Sequence, residues 1–308
     1  MKNLDFLIVG AQKCATTTLF EHLRLHPDIN MPLEKEVPFF TKATCTKERW
    51  RNFTKSHFEE NDDRLWGKAT PQYMCHDSVP ERIHQLMPEL KLIAILRDPI
   101  ERTWSHYQMG RRRGTEERSF DEAVDELLQA EAMTRVRSLP VPTHESGFES
   151  ESDFYVAWSE YGRILRRYAQ WFPPEKLLVL YTEDLQSKPE ETLDRLLSFI
   201  GLTPGFRPET LGQVIHQGGA SNFIPHSVRV WLRQRHLLYS LWQCLPEAKR
   251  GRLRFLYEQW NVRKLPLTKK QISVATRDAL QKHYGEDLQA LLKLPIEAPP
   301  WLQAYLQA

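Results

Sequence analysis

The sequence predicts an α/β fold, a P-loop-like parallel β-sheet flanked by helices, with a mostly helical C-terminal part. Three observations carry this. Continuous apolar runs recur at Phe6–Val9, Lys91–Leu96 and Leu177–Tyr181, as strands buried on both faces require. Helical periodicity separates the runs, so successive strands connect through crossovers. At 308 residues and 41% hydrophobic content the chain can bury a substantial core, and it reads as one domain over 1–308.

The first run ends at Gly10, and Gln12 to Thr18 turn the chain into a helix with Leu19, Phe20 and Leu23 on its apolar face. A turn carrying Lys13 and a helix opening with Thr16, Thr17 and Thr18 suit an anion, since N–H groups at a helix start lack intrahelical acceptors and the dipole adds positive charge. His26-Pro27 stops this helix. Residues 46 to 60 read as a helix anchored by Trp50, Phe53 and Phe58, Trp66–Met74 as an edge strand or loop, and Pro80–Met87 as a helix with proline in its first turn.

After Lys91–Leu96, Arg97-Asp98-Pro99 starts a helix through Tyr107, a second strand-turn-helix unit. Arg111, Arg112 and Arg113 read as a solvated loop, Phe120–Met133 as one amphipathic helix, and residues 134–152 as a mobile loop or lid. Aromatic and apolar residues from Phe154 to Trp171 recur at three and four, predicting a long helix to Phe172. Pro189–Ile200 reads as a helix closed by Gly201, residues 203 to 226 as a long loop and the remainder as helical.

A net charge of +2 argues against bulk nucleic-acid binding, and no apolar run reaches the roughly 20 residues of a membrane span. With no signal-peptide pattern, the expected compartment is the cytoplasm. Cys14, Cys45, Cys75 and Cys244 have no metal-ligand spacing, so free thiols and no metal are expected.

Lys13 stands too early in its loop for a nucleotide-triphosphatase motif, in which lysine directly precedes the magnesium-binding hydroxyl. The sixth residue beyond Cys14 is Phe20 rather than the arginine of a cysteine phosphatase, and a dinucleotide fingerprint is absent. The order Lys13, Ala15, Thr16, Thr17 instead resembles the 5′-phosphosulfate loop of sulfotransferases that use 3′-phosphoadenosine 5′-phosphosulfate (PAPS), with Ala15 where that family usually has glycine. ILRDPIERTWSHY, Ile95–Tyr107, is similar to the family's 3′-phosphate motif, which places Arg97 and Ser105 on that phosphate. EVPFF (Glu36–Phe40) and GKATPQY (Gly67–Tyr73) resemble segments of heparan sulfate sulfotransferases and their bacterial relatives, although Pro38 stands where those often have histidine. His216–Ser227 lies where the family has a second cofactor-contacting loop.

The resemblance implies a transferase moving a sulfuryl group from PAPS to a hydroxyl or amine of a small-molecule or saccharide acceptor, with 3′,5′-ADP (PAP) released and no metal needed. It implies Lys13 at the leaving oxygen, Glu36 as general base and Lys68 lining the active site. The N–H groups of Cys14, Ala15, Thr16, Thr17 and Thr18 and the threonine hydroxyls would hold the 5′-phosphate. Two alternatives stand beside it: a P-loop kinase of a small metabolite, dependent on ATP and magnesium, and a nucleotide-binding regulator without catalysis. For Glu36 and Lys68 the competing assignments are a surface carboxylate and a solvated edge-strand lysine; for Arg97, a structural ion pair at a helix start.

Overall fold

The computed structural model describes residues 2–32, 34–58, 63–138, 149–212, 220–222, 262–264 and 272–306. Its centre is a parallel sheet of five strands: β1 (Phe6–Gly10), β2 (Ile29–Asn30), β3 (Leu65–Ala69), β4 (Lys91–Leu96) and β5 (Leu177–Tyr181), in the order β2-β3-β1-β4-β5. The three apolar runs are thus β1, β4 and β5, and all five residues of β1 are buried.

Two strands differ from the expectation. β2 spans two residues and pairs with Leu65 and Trp66, too short to leave a periodic signal. β3 is internal rather than an edge, because β2 covers its outer side. Its small Gly67 permits this packing, since a Cβ there would lie 2.0 Å from Cζ of Phe6. A 3₁₀ turn, Pro71–Cys75, follows β3, and its Met74 sits against Gly10, where a Cβ would come within 2.5 Å of the Met74 Cβ.

The helices that frame the sheet begin with α1 (Thr16–Arg24), α2 (Lys47–His57) and α3 (Val79–Leu86). The next, α4 (Pro99–Arg113), starts on an Asp98 cap whose carboxylate accepts from the Glu101 N–H at 2.9 Å, and it ends at Gly114 with φ 72°. It therefore runs past Tyr107 and takes in the arginine run as its last turn. Arg111 is exposed there, but Arg112 and Arg113 are half-buried rather than solvated.

The single helix expected over Phe120–Met133 is two, α5 (Phe120–Leu127) and α6 (Ala130–Ser138). Residues 139–148 of the expected lid lie outside the described residues; Glu149–Asp153 is a 3₁₀ turn in which Glu151 and Ser152 are buried.

The long helix expected over Phe154–Phe172 is also broken, into a 3₁₀ turn at Ala157–Ser159 and α7 (Tyr161–Ala169). Glu160 lies between them at ψ 73°, held by Arg137, Arg163 and His283. The new helix start is capped from another element: the Asp287 carboxylate of α10 (Val274–Leu291) accepts from the N–H groups of Gly162 at 2.7 Å and Arg163 at 2.8 Å. Periodicity survives the break because both pieces face the core.

Beyond β5 come α8 (Thr182–Ser187) and α9 (Pro189–Ile200), the latter closed by Gly201 at φ 96°. Ala220–Asn222 (β6) pairs antiparallel with Val262–Lys264 (β7), a ribbon inside the stretch expected to be loop and helix. The rest of His216–Ser227, and Cys244, lie outside the described residues. The chain's described end is helical, in α10 and α11 (Gln303–Leu306), and the Tyr284 hydroxyl of α10 meets Thr103 Oγ1 of α4 at 2.6 Å.

Candidate active site

β1 delivers the chain to the loop at Gln12–Ala15. Lys13 and Ala15 both take left-handed backbone conformations, φ 73° and 59°, which tighten the turn and leave α1 opening on Thr16. The first helical hydrogen bond runs from the Leu19 N–H to the Ala15 carbonyl at 3.1 Å, so the N–H groups of Thr16 and Thr17 precede the ladder and point out of the helix start. A left-handed alanine costs about 1 kcal/mol that glycine avoids. Ala15→Gly is therefore expected to raise stability by about 0.5–1 kcal/mol in a denaturant titration, and no gain would mean that Ala15 is not strained.

Cys14 is a structural member of this loop. Its N–H is turned back to the Ala11 carbonyl at 3.2 Å, and its buried sulfur lies 3.7 Å from the Tyr161 hydroxyl. Burial pushes the thiol up to about 11, so it stays protonated. Cys14, Cys45 and Cys75 are free thiols.

Arg102 holds the loop from below, a role that nothing in its local sequence announces. The fully buried guanidinium donates to the Gln12 carbonyl at 3.1 Å, to the Tyr155 carbonyl at 2.9 Å and to His106 Nδ1 at 3.0 Å. Because His106 accepts at Nδ1, its neutral ring carries the proton on Nε2, which faces Glu151 Oε2 at 3.5 Å. Burial, then the Arg102 charge, pushes His106 down to about 3. Arg113 closes the group with a 3.1 Å ion pair to Glu151.

Lys13 is half-buried next to this basic ground. Burial first, then the charges of Arg112, Arg113, Arg102 and Arg97, bring its ammonium down to about 7. An anion arriving in the loop would pull it back to the charged form.

On the other side of the loop the structure gathers Glu36, Lys68, Thr16 and Thr17. Glu36 has φ 71° and donates its N–H to the Ala69 carbonyl at 3.0 Å, which fastens its segment to the end of β3. The Tyr73 hydroxyl accepts from the N–H groups of Phe39 at 2.6 Å and Phe40 at 3.1 Å, fixing the far end of the same segment. Glu36 is half-buried and paired with Lys35 at 2.6 Å, not a surface carboxylate free in solvent.

Lys68 is fully buried, which removes the solvated-lysine assignment. Its Nζ donates to Thr70 Oγ1 and lies 4.9 Å from the Tyr73 ring centroid. Burial lowers its pKa to about 7, with Glu36 opposing and Lys35 adding to the shift. A buried lysine that an anion can recharge suits a site where negative charge develops.

Lys35 escaped the sequence reasoning although it directly precedes the quoted EVPFF. Its Nζ donates to Glu36 Oε1 at 2.6 Å, to Thr17 Oγ1 at 3.1 Å and to Thr16 Oγ1 at 3.5 Å, linking the carboxylate to the loop hydroxyls.

Arg97 directly follows β4 and Ser105 lies in the second turn of α4, both half-buried. The ion pair weighed against a phosphate role is present but loose, 3.6 Å from Arg97 to Glu101 Oε2. A guanidinium so held at a helix start can still take a phosphate through paired bonds. Among the described residues no cluster of His, Cys, Asp and Glu could hold a metal ion.

Two strand-turn-helix units follow adjacent parallel strands, with a carboxylate and a buried lysine beside the first. Residues 3–223 fit the model described as the sulfotransferase domain. The chain belongs to the sulfotransferase family. The match takes in every site residue described above. The sulfotransferase is 28% identical over 221 residues to human bifunctional heparan sulfate N-deacetylase/N-sulfotransferase 3, covering 69% of this chain and 24% of that protein. It is 28% identical over 202 residues to human heparan sulfate glucosamine 3-O-sulfotransferase 6, covering 64% of this chain and 52% of the relative. The chain thus spans about a quarter of the first relative's length and about half of the second's. Its fold is similar to the crystal structure of a sulfotransferase from Alicyclobacillus acidocaldarius, at a TM-score of 0.65 and 18% identity over 99% of this chain and 100% of the other.

Proposed function

We infer that this sulfotransferase moves the sulfuryl group of PAPS to a hydroxyl or amine of a saccharide or small-molecule acceptor and releases PAP. The observation that carries this is the linked set Thr17–Lys35–Glu36 beside buried Lys68: a carboxylate able to take a proton stands one ammonium away from an anion-binding helix start. The two human relatives, named for N- and 3-O-sulfotransfer on heparan sulfate, support both an amine and a hydroxyl as acceptor groups.

PAPS supplies an activated sulfuryl group with phosphate at both ends of its ribose, and the two halves of the site divide those charges. Thr16 and Thr17, with their N–H groups and hydroxyls, would take the 5′ side. Arg97 and Ser105 would take the 3′-phosphate. Lys13 and Lys68, which burial holds near neutrality until an anion arrives, would meet the charge that grows on the departing oxygen. Glu36 would accept the acceptor's proton as its oxygen or nitrogen attacks.

Incubation with sulfur-labelled PAPS and a panel of amino and hydroxyl saccharides and small phenols tests this, with label transfer expected whether or not a chelator is present. Phosphoryl transfer from ATP in place of sulfuryl transfer would overturn it. Arg97→Ala is expected to weaken PAP binding by about 10- to 100-fold in calorimetry, the worth of a charge-assisted phosphate contact. Unchanged affinity would remove Arg97 from the 3′-phosphate site.

A further inference from the structure

Lys35 carries a second role that its contacts define. An ammonium has three N–H donors, and here they go to one Glu36 oxygen at 2.6 Å and to the hydroxyls of Thr17 at 3.1 Å and Thr16 at 3.5 Å. Its side chain is 14% exposed, low for a lysine, so this geometry is held by packing rather than borrowed from solvent. The two hydroxyls belong to the first turn of α1, where an anion would settle. Any phosphate bound to that turn comes within reach of the same ammonium.

We propose that Lys35 is an exchange residue: it pairs with Glu36 in the free enzyme and gives up that carboxylate for the 5′-phosphate of the incoming nucleotide, releasing Glu36 to act as base only once the donor is bound. This rests on the reading of Glu36 as the base and of a PAPS-type nucleotide as the ligand. The driving force is electrostatic. The 5′-phosphosulfate carries two negative charges in total against the carboxylate's one, and, held by the helix start as well, it is the stronger partner for one cation. A carboxylate that loses its cationic neighbour binds a proton more tightly, so Glu36 gains basicity when the donor is in place and the acceptor must be deprotonated. No covalent bond changes in this step; only the partner of the Lys35 ammonium does. The consequence for the enzyme is an order, donor before proton abstraction, which limits futile activation of water.

A double-mutant cycle on PAP affinity, measured by calorimetry with wild type, Lys35→Met, Glu36→Gln and the double variant, reads the exchange. Removing the Glu36 charge weakens its hold on Lys35 to a neutral hydrogen bond, so Glu36→Gln is expected to tighten PAP about 3- to 10-fold in the presence of Lys35. In the Lys35→Met background the same change should shift affinity less than about twofold, and Lys35→Met alone should weaken PAP about tenfold. Lys35→Arg, which keeps the charge, should restore the coupling and excludes misfolding as the cause. Equal tightening in both backgrounds would reduce the effect to general electrostatics and overturn the exchange, as would no tightening in either. A wild-type protein that fails to bind PAP would overturn the nucleotide reading and the exchange with it. A coupled cycle accompanied by near-normal turnover of Glu36→Gln would overturn the general-base role alone.

Discussion

Glu36→Gln is expected to lower kcat by about 10²–10⁴-fold, the range that a positioned general base contributes. The substitution is close to isosteric. Its amide oxygen can still accept from Lys35, and the Glu36 N–H stays on the Ala69 carbonyl, so the segment keeps its place between β3 and Tyr73. What is lost is the ability to take a proton. The change should therefore appear in single-turnover transfer from PAPS, while PAP binding is retained or tightened. A loss of only a few-fold would move the proton elsewhere, to bulk water or another group, and a parallel loss of PAP affinity would mark Glu36 as a structural support of the loop. The effect should be larger for a hydroxyl acceptor than for a neutral amine, because the alcohol is the poorer nucleophile until its proton is leaving.

Much of this site could be read from local signals. β1, β4 and β5 are apolar runs, and Lys13 after β1 and Arg97 and Ser105 after β4 stand at spacings that resemble the sulfotransferase motifs. Those features are written in neighbouring residues. The parts that stayed hidden are made by contacts distant in sequence. Arg102 reaches the Gln12 carbonyl across 90 residues, and Asp287 caps α7 across 125. β2 exists because Ile29 and Asn30 find the open side of β3, with no pattern of their own. Lys68 looked like an edge lysine because charge and a nearby proline suggested solvent, yet the strand pairs with β1 beside it and the rings of Tyr73 and Phe53, 4.9 and 5.9 Å from its Nζ, enclose it. Lys35 was legible as a residue type but not as a link, since its meaning depends on where Thr16 and Thr17 stand in space.

Glu160→Gln is expected to lower stability by about 3 kcal/mol, the worth of a buried carboxylate held by several cationic partners. The Glu160 carboxylate accepts from both Arg137 and Arg163 and lies 3.1 Å from His283 Nε2, so it joins the end of α6, the start of α7 and the middle of α10. Burial alone would raise its pKa, but the hydrogen bonds from His283 and Arg137 and the charges of Arg163 and Arg137 outweigh it and bring the group from an ordinary 4.5 down to about 2. A folded value below the unfolded one means that the stabilisation is fully present above about 4.5 and is lost as pH falls toward about 2. The difference corresponds to about 3 kcal/mol at neutral pH. Urea titrations at pH 6 and pH 3 should therefore show wild type losing much of its margin, while the glutamine variant, already without the carboxylate, loses less. A variant as acid-sensitive as wild type would place the acid effect in other carboxylates. The same junction supports the candidate loop: the Tyr155 carbonyl and the Ser159 hydroxyl near Glu160 accept from Arg102, which in turn holds the Gln12 carbonyl. Loosening Glu160 should thus weaken PAP binding well below the melting point, because the loop loses the support that keeps its N–H groups aimed at the anion.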